Sequence, residues 1–265
     1  MTGFSYRGLA NFAGVLTLAG GLAIAAVVPA RADLVFDFST LAANGATCTS
    51  GDCVLGSSPQ SFTTHNITLG AYSYAGSGLS ASSAGTNVSQ RFGSASSGET
   101  GLGVYSKGDS NSGSTLEISS SEYLLLDNSA AIANHYTLYS LSLSSIQGGE
   151  GGAIDVYGAT MTGNTNTLDL TKLTTIATLS NPGTGTASVQ TYDLPPTNDT
   201  TQYNYIVVTA SNTTNGAGNV LVQQEVFNYS SSNNGGTQVP EPSSLLLYGT
   251  FALGLGFMAR RRRTI

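Results

Sequence analysis

The stretch between residues 33 and 229 is predicted to form an all-β fold, an antiparallel β-sandwich of jelly-roll type. Short runs of Val, Ile, Leu, Tyr and Phe recur about every 8–15 residues, separated by Gly, Asn, Ser and Asp. No segment of that stretch sustains a 3.6-residue apolar period bounded by helix caps, so helix is at most incidental. About 200 residues suffice for one sandwich core but fall short of two well-filled domains, so one domain is expected.

Taken in order, the chain opens with Arg7, an uncharged run from Leu9 to Val28, Pro29, and then Ala30-Arg31-Ala32. The small-x-small pattern of Ala30 and Ala32 suits a signal peptidase, so residues 1–32 read as a signal peptide cleaved after Ala32 and delivered through the Sec translocon. An uncleaved membrane anchor is the alternative, and it leaves the following residues on the same side of the membrane. Leu34 to Phe38 is β-prone and predicts a first strand. Ser39 to Pro59 is turn-rich and carries Cys48 and Cys53, whose spacing around Gly51 reads as a loop-pinning disulfide worth about 2 kcal/mol in an oxidising compartment. A zinc site is the sharper reading of the cysteines, but only His65 and His135 could join them.

Further strands are predicted at Ile67 to Tyr74, Ser89 to Gly93, Gly101 to Tyr105, Ser114 to Ser119 and Tyr123 to Asp127. The second half adds Tyr136 to Ile146, Ala153 to Tyr157, Thr174 to Leu179, Ser188 to Tyr192, Tyr203 to Ala210 and Leu221 to Tyr229. In Tyr136 to Ile146, Tyr136 and Leu138 share a face with Leu141 and Leu143 only if the phase slips by one residue, which predicts a bulge near Tyr139. The continuous apolar block Tyr205-Ile206-Val207-Val208 predicts a central strand covered on both faces.

Residues 230–238, rich in Ser, Asn and Gly, read as a flexible linker. The segment 239–265 then carries Val239-Pro240-Glu241-Pro242, an uncharged stretch over 243–259, and Arg260-Arg261-Arg262-Arg263. As a helix, residues 243–259 span about 25 Å, slightly less than the ~30 Å hydrocarbon core, and predict a transmembrane helix. Four arginines resist transfer at roughly 2.5–3.5 kcal/mol each near the bilayer centre, so they act as a stop-transfer cluster on the cytoplasmic side. Pro240 and Pro242 bias Val239 and Glu241 to extended geometry, which presents an accessible peptide. This ordered tail resembles the PEP-CTERM sorting signal of Gram-negative bacteria. The resemblance implies processing at Pro240-Glu241-Pro242 by exosortase, transient residence in the inner membrane, and a final position at the cell surface or in extracellular polysaccharide. An ordinary single-pass anchor is the plainer reading of the same residues. Gly101-Leu102-Gly103-Val104, Glu117-Ile118 and Glu122-Tyr123-Leu124-Leu125-Leu126 are similar to a strand series of PEP-CTERM ectodomains. Ser119 and Ser120 stand where the family often has Asp and Asn.

Charge narrows the function classes. Residues 33–239 contain 3 basic residues, Arg91, Lys107 and Lys172, against 14 carboxylates, a net charge of 3 − 14 = −11. Such a surface repels a polyanion and offers no basic stripe, which excludes nucleic acid as a partner. A Ser-His-Asp hydrolase would need His65 or His135, and Gly108-Asp109-Ser110 lacks the rest of a nucleophile loop. Glu99, Glu117, Glu122, Glu150 and Asp155 are the candidates for paired-carboxylate glycoside chemistry, but the chain has no tryptophan platform for sugar stacking. Asp109 and Asn111 offer oxygen ligands for a structural calcium, although the twelfth position from Asp109 is Ser120 rather than Glu. No catalytic set emerges. The expected protein is a non-enzymatic, structural or adhesive component of exopolysaccharide or biofilm, with a secreted carbohydrate-binding or carbohydrate-active protein as the alternative.

Overall fold

Alternation becomes structure from the first strand onward. In β1 (Leu34–Asp37), Leu34 and Phe36 are fully buried while Val35 is 37% exposed, as a strand with one face on a core requires. The computed structural model describes residues 33–46, 51–92, 99–107, 109, 116–161, 166–180, 188–195, 202–211 and 219–229. These belong to one compact unit, Ala32–Gly236. The strands that follow are β2 (Gly51–Ser57), β3 (Gln60–Thr64), β4 (Ile67–Ser77), β5 (Ser80–Ser82), β6 (Thr86–Phe92), β7 (Gly101–Ser106) and β8 (Glu122–Asp127). After a single-turn helix, α1 (Ser129–Ala133), come β9 (Tyr136–Ile146), β10 (Gly151–Tyr157), β11 (Thr167–Asp169), β12 (Leu173–Ser180), β13 (Ser188–Asp193), β14 (Tyr205–Ala210) and β15 (Leu221–Tyr229). Among the described residues no helix is long and apolar enough to cross a membrane. The predicted signal peptide, linker and transmembrane helix 243–259 lie outside the described residues.

The fold is all-β and every strand pairing is antiparallel. The first sheet runs β13-β9-β15-β7-β6-β2, with β1 also on β15, and the second runs β11-β5-β4-β8-β14-β10-β12, with β3 also on β4; neither closes into a barrel. From β7 to β10 and again from β12 to β15 the chain crosses between the sheets at each step, while β10, β11 and β12 stay in the second, so β7-β15-β9-β13 stand side by side in one and β8-β14-β10-β12 in the other. One hydrophobic cluster takes Leu34, Phe36, Leu141 and Phe227 from the first sheet and Leu69, Leu124 and Ile206 from the second. A smaller cluster of Tyr74, Leu125, Tyr157, Leu168 and Val207 covers the opposite face of the second sheet. β14 therefore sends Ile206 and Val208 into one cluster and Val207 into the other, the two-faced burial its apolar block predicts.

The bulge expected in β9 is present. Ser140 pairs with Val226 and Leu138 with Phe227, so Tyr139 is left over and lies 47% exposed while its neighbours point inward. Two expectations need correction. Ser39 to Pro59 is not turn alone, because β2 forms within it against β6; its Gly-Asp-Cys composition hid a strand whose stability comes from cross-strand pairing. In the predicted strand Ser114 to Ser119, Ile118 makes only an isolated bridge to Val220. The reason lies next to it: a Cβ on Gly103 would collide with the Leu116 carbonyl oxygen, so this segment packs across β7 rather than extending a sheet. The short β3, β5 and β11 were also not legible as strands.

Gly103→Ala is expected to destabilise the fold by about 3 kcal/mol or more, since the obstacle is backbone. Gly158→Ala, whose added carbon would meet only the Lys172 carbonyl oxygen at 3.5 Å, is expected to stay within about 0.5 kcal/mol; urea unfolding of both variants measures the contrast.

Candidate functional site

Arg91, in the middle of an acidic domain, gathers carboxylates from separate parts of the chain. The β2–β6 register sets Asp52 opposite Arg91 and Cys53 opposite Gln90. Asp52 Oδ1 lies 3.1 Å from Arg91 Nε, Glu99 Oε2 lies 3.1 Å from Nη2, and Glu117 Oε1 contacts Nη1. Each guanidinium nitrogen thus faces its own carboxylate. The Arg91 side chain is 12% exposed and that of Glu117 4%. From the end of β9, the Ser145 hydroxyl donates to Glu117 Oε1 at 2.8 Å, and Ser145 adopts a left-handed φ of 62°. Gln147 Nε2 donates to Glu99 Oε1 at 3.0 Å, and the Gln147 backbone N–H donates to Glu150 Oε2 at 2.8 Å. Beside the cluster, Gln90 Nε2 donates to the carbonyls of Phe38 and Leu41 at 2.8 and 2.7 Å, tying the turn after β1 to β6.

Burial dominates the electrostatics. Desolvation raises the Glu117 carboxyl above the usual carboxylate range, against the opposing pull of the Ser145 hydrogen bond and the Arg91 charge, while Glu99 and Glu150 add to the rise. Burial also raises Glu150, opposed by the Gln147 N–H and reinforced by Glu99. For Arg91, burial favours the neutral form, but Glu117, Asp52 and Glu99 outweigh it and hold the guanidinium more firmly charged. The two partners of the Arg91–Glu117 contact shift in senses that look opposed. We read the contact as a bound ion pair that still carries the cost of burying Glu117. Chemically, the site sets one buried carboxylate, whose charged form burial disfavours, beside others clamped on a cation, and the clamp occupies the oxygens that face Arg91.

Of the five carboxylates singled out for glycoside chemistry, Glu99, Glu117 and Glu150 come together here. The other two do not. Glu122 accepts from the Ser106 hydroxyl and, at 2.9 Å, from the Ser119 N–H; Asp155 accepts from the Thr175 hydroxyl at 2.5 Å and is raised by burial. Asp109 Oδ2 accepts from the Ser106 N–H at 2.6 Å, closing the turn after β7, and Asn111 lies outside the described residues. Among the described residues no group of three or more His, Cys, Asp and Glu could hold a metal ion. Cys53 is disulfide-bonded, and Cys48 lies outside the described residues. His65 and Asn66, with φ of 49° and 63°, form the two-residue corner between β3 and β4, a conformation two-residue hairpins require. His135, φ 66°, ends the turn after α1. Ala30, Ala32, Val239, Pro240, Glu241, Pro242 and Arg260 to Arg263 all lie outside the described residues.

Sequence reasoning missed Arg91, Asp52, Ser145 and Gln147. Arg91 could have been found, because a lone arginine in a strand, among 14 carboxylates and 3 basic residues over 33–239, is bound to be claimed by several acids. No family model, curated protein or solved structure matches this chain.

Arg91→Ala is expected to cost about 3 kcal/mol at neutral pH, because it strands a buried carboxylate. Removing the cation raises Glu117 further, so the variant loses more stability as pH rises, and its deficit shrinks towards acid as the carboxylates protonate; chemical unfolding at several pH values tests this.

Proposed function

We propose that this chain is an exported surface or extracellular-matrix protein, sorted by exosortase, with a structural or adhesive role in exopolysaccharide or biofilm. The observation that carries the reading is the order of segments in 239–265: Pro240-Glu241-Pro242, then an uncharged membrane-length stretch, then Arg260 to Arg263. Residues 1–32 supply the matching export signal. Between them we place a jelly-roll β-sandwich. Support for that fold comes from the side-by-side orders β7-β15-β9-β13 and β8-β14-β10-β12, the arrangement of two interleaved Greek keys, and from the shared cluster between the sheets. A rigid sheet domain with net negative charge resists self-association and leaves its hydroxyl-rich surface to meet hydrated polymer.

A second reading, a secreted carbohydrate-binding or carbohydrate-active protein, is favoured by one specific observation, the convergence of Glu99, Glu117 and Glu150 around Arg91. Specific glycan turnover abolished by Glu117→Gln would establish it over the structural role.

Intact mass of the protein recovered from cells and medium tests the leading reading. The expected product lacks everything beyond the Pro-Glu-Pro region, and the triple variant Pro240→Ala, Glu241→Ala, Pro242→Ala is expected to keep its tail and stay with the membrane. A wild-type protein that keeps its full tail refutes sorting.

A further inference from the structure

β15 carries a glutamate where a strand in the middle of a sheet should carry an apolar residue. Glu225 is 0% exposed. It pairs with Phe36 of β1 on one side and Leu141 of β9 on the other, both fully buried members of the main cluster. Asn128, the residue that follows β8 of the second sheet, reaches it and is also 0% exposed. The Asn128 backbone N–H donates to the Asn204 carbonyl at 2.7 Å. Its Nδ2 donates to the Tyr203 carbonyl at 3.3 Å and to Glu225 Oε1 at 3.1 Å. The Tyr203 carbonyl only accepts, so it fixes which end of the amide carries the hydrogens.

Two atoms of this pair are left over. Glu225 Oε2 and Asn128 Oδ1 are both sealed from solvent and both lack a partner, and Asn204 Oδ1 is a third sealed acceptor without a donor. An ionised carboxylate would leave every one of them orphaned and would place a full charge in an apolar interior, a cost of several kcal/mol. One proton on Oε2 removes the charge and turns an orphaned acceptor into a donor. With Nδ2–H already on Oε1, an Oε2–H directed at Oδ1 closes an acid–amide ring between the two sheets.

We propose that Glu225 is held as a neutral carboxylic acid that donates to Asn128, forming a proton-dependent latch between the two sheets. Among the described residues no charged group competes for it. Phe36 and Leu141 flank it on the first sheet. On the second, Asp127 turns its carboxylate to the Ser129 N–H and hydroxyl. Tyr205 packs on the small outer cluster, and the Tyr203 hydroxyl donates to the Pro195 carbonyl at 2.9 Å. Burial, opposed only by the Asn128 hydrogen bond, pushes the Glu225 carboxyl up to about 8. Because the folded value is raised, the contribution of the latch is complete below about 4.5 and is lost as pH climbs to about 8. Loss of the proton leaves a charge facing a carbonyl oxygen, so the contact between the sheets must open or admit water. This inference does not depend on the proposed role of the protein.

Glu225→Gln keeps a carbonyl acceptor and offers an N–H donor in place of the acid O–H, with one N–H more, and it does not titrate. In the full chain in detergent, the wild-type melting temperature is expected to fall relative to that of E225Q by roughly 5 °C or more between about pH 5 and about pH 9. Referencing to E225Q cancels the other titrating carboxylates. Superimposable pH profiles would overturn the latch. A second measurement needs no variant: in wild-type protein labelled at glutamate side-chain carbons, one carboxyl resonance is expected to titrate near 8, whereas titration of all of them below about 6 refutes the proposal.

Discussion

The structure depends on β15. This last strand of the domain lies between β9 and β7 and also receives β1, so it satisfies backbone groups of three strands that are distant in the chain. Without it, β9 and β7 are open edges, and open edges invite pairing with other chains. The pairing Leu34↔Phe227 joins nearly the two ends of the described domain, a non-local contact whose loop-closure entropy is met only late in folding. This topology makes completion of the core wait for β15, the last strand of the described domain.

Polar groups are brought inside under strict terms. Arg91 and Glu117 are both nearly buried, and each nitrogen of the guanidinium finds an acid. Burying such a cluster is weak evidence for stability, because desolvation offsets much of the attraction. Its effect is geometric, since it ties β2, β6, the approach to β7 and the end of β9 at one corner of the first sheet. The Glu225–Asn128 pair solves the same problem across the sheets without a cation, through a proton. A chain with 14 carboxylates and 3 bases over 33–239 has few cations to spend on its interior.

Strands with strong apolar alternation were legible in the sequence. β9 runs from Tyr136 to Ile146 as its pattern predicts, and even its bulge at Tyr139 follows from the slip between Leu138 and Leu141. β2, β3, β5 and β11 were not, because they are short and carry Gly, Ser or Asp, residues with little strand preference that become strands only by pairing with a neighbour. The candidate site was half legible. Three of its acids were named, Glu99, Glu117 and Glu150, but they could not be separated from Glu122 and Asp155 without knowing which loops share a corner, and Asp52 was not among them.

By itself, the sequence determined the fold class and the periodicity of its longer strands, because side-chain alternation is a local property that survives without knowledge of neighbours. It also determined the acidic balance over 33–239. Only the tertiary structure decided that Arg91 would hold three acids, that Glu225 would be sealed against Asn128, and that β15 would insert between β9 and β7. Apart from Arg91–Glu99, 8 positions apart, these are contacts between residues tens to more than a hundred positions apart. Their energies depend on burial and on mutual geometry, which exist only once the two sheets have come together.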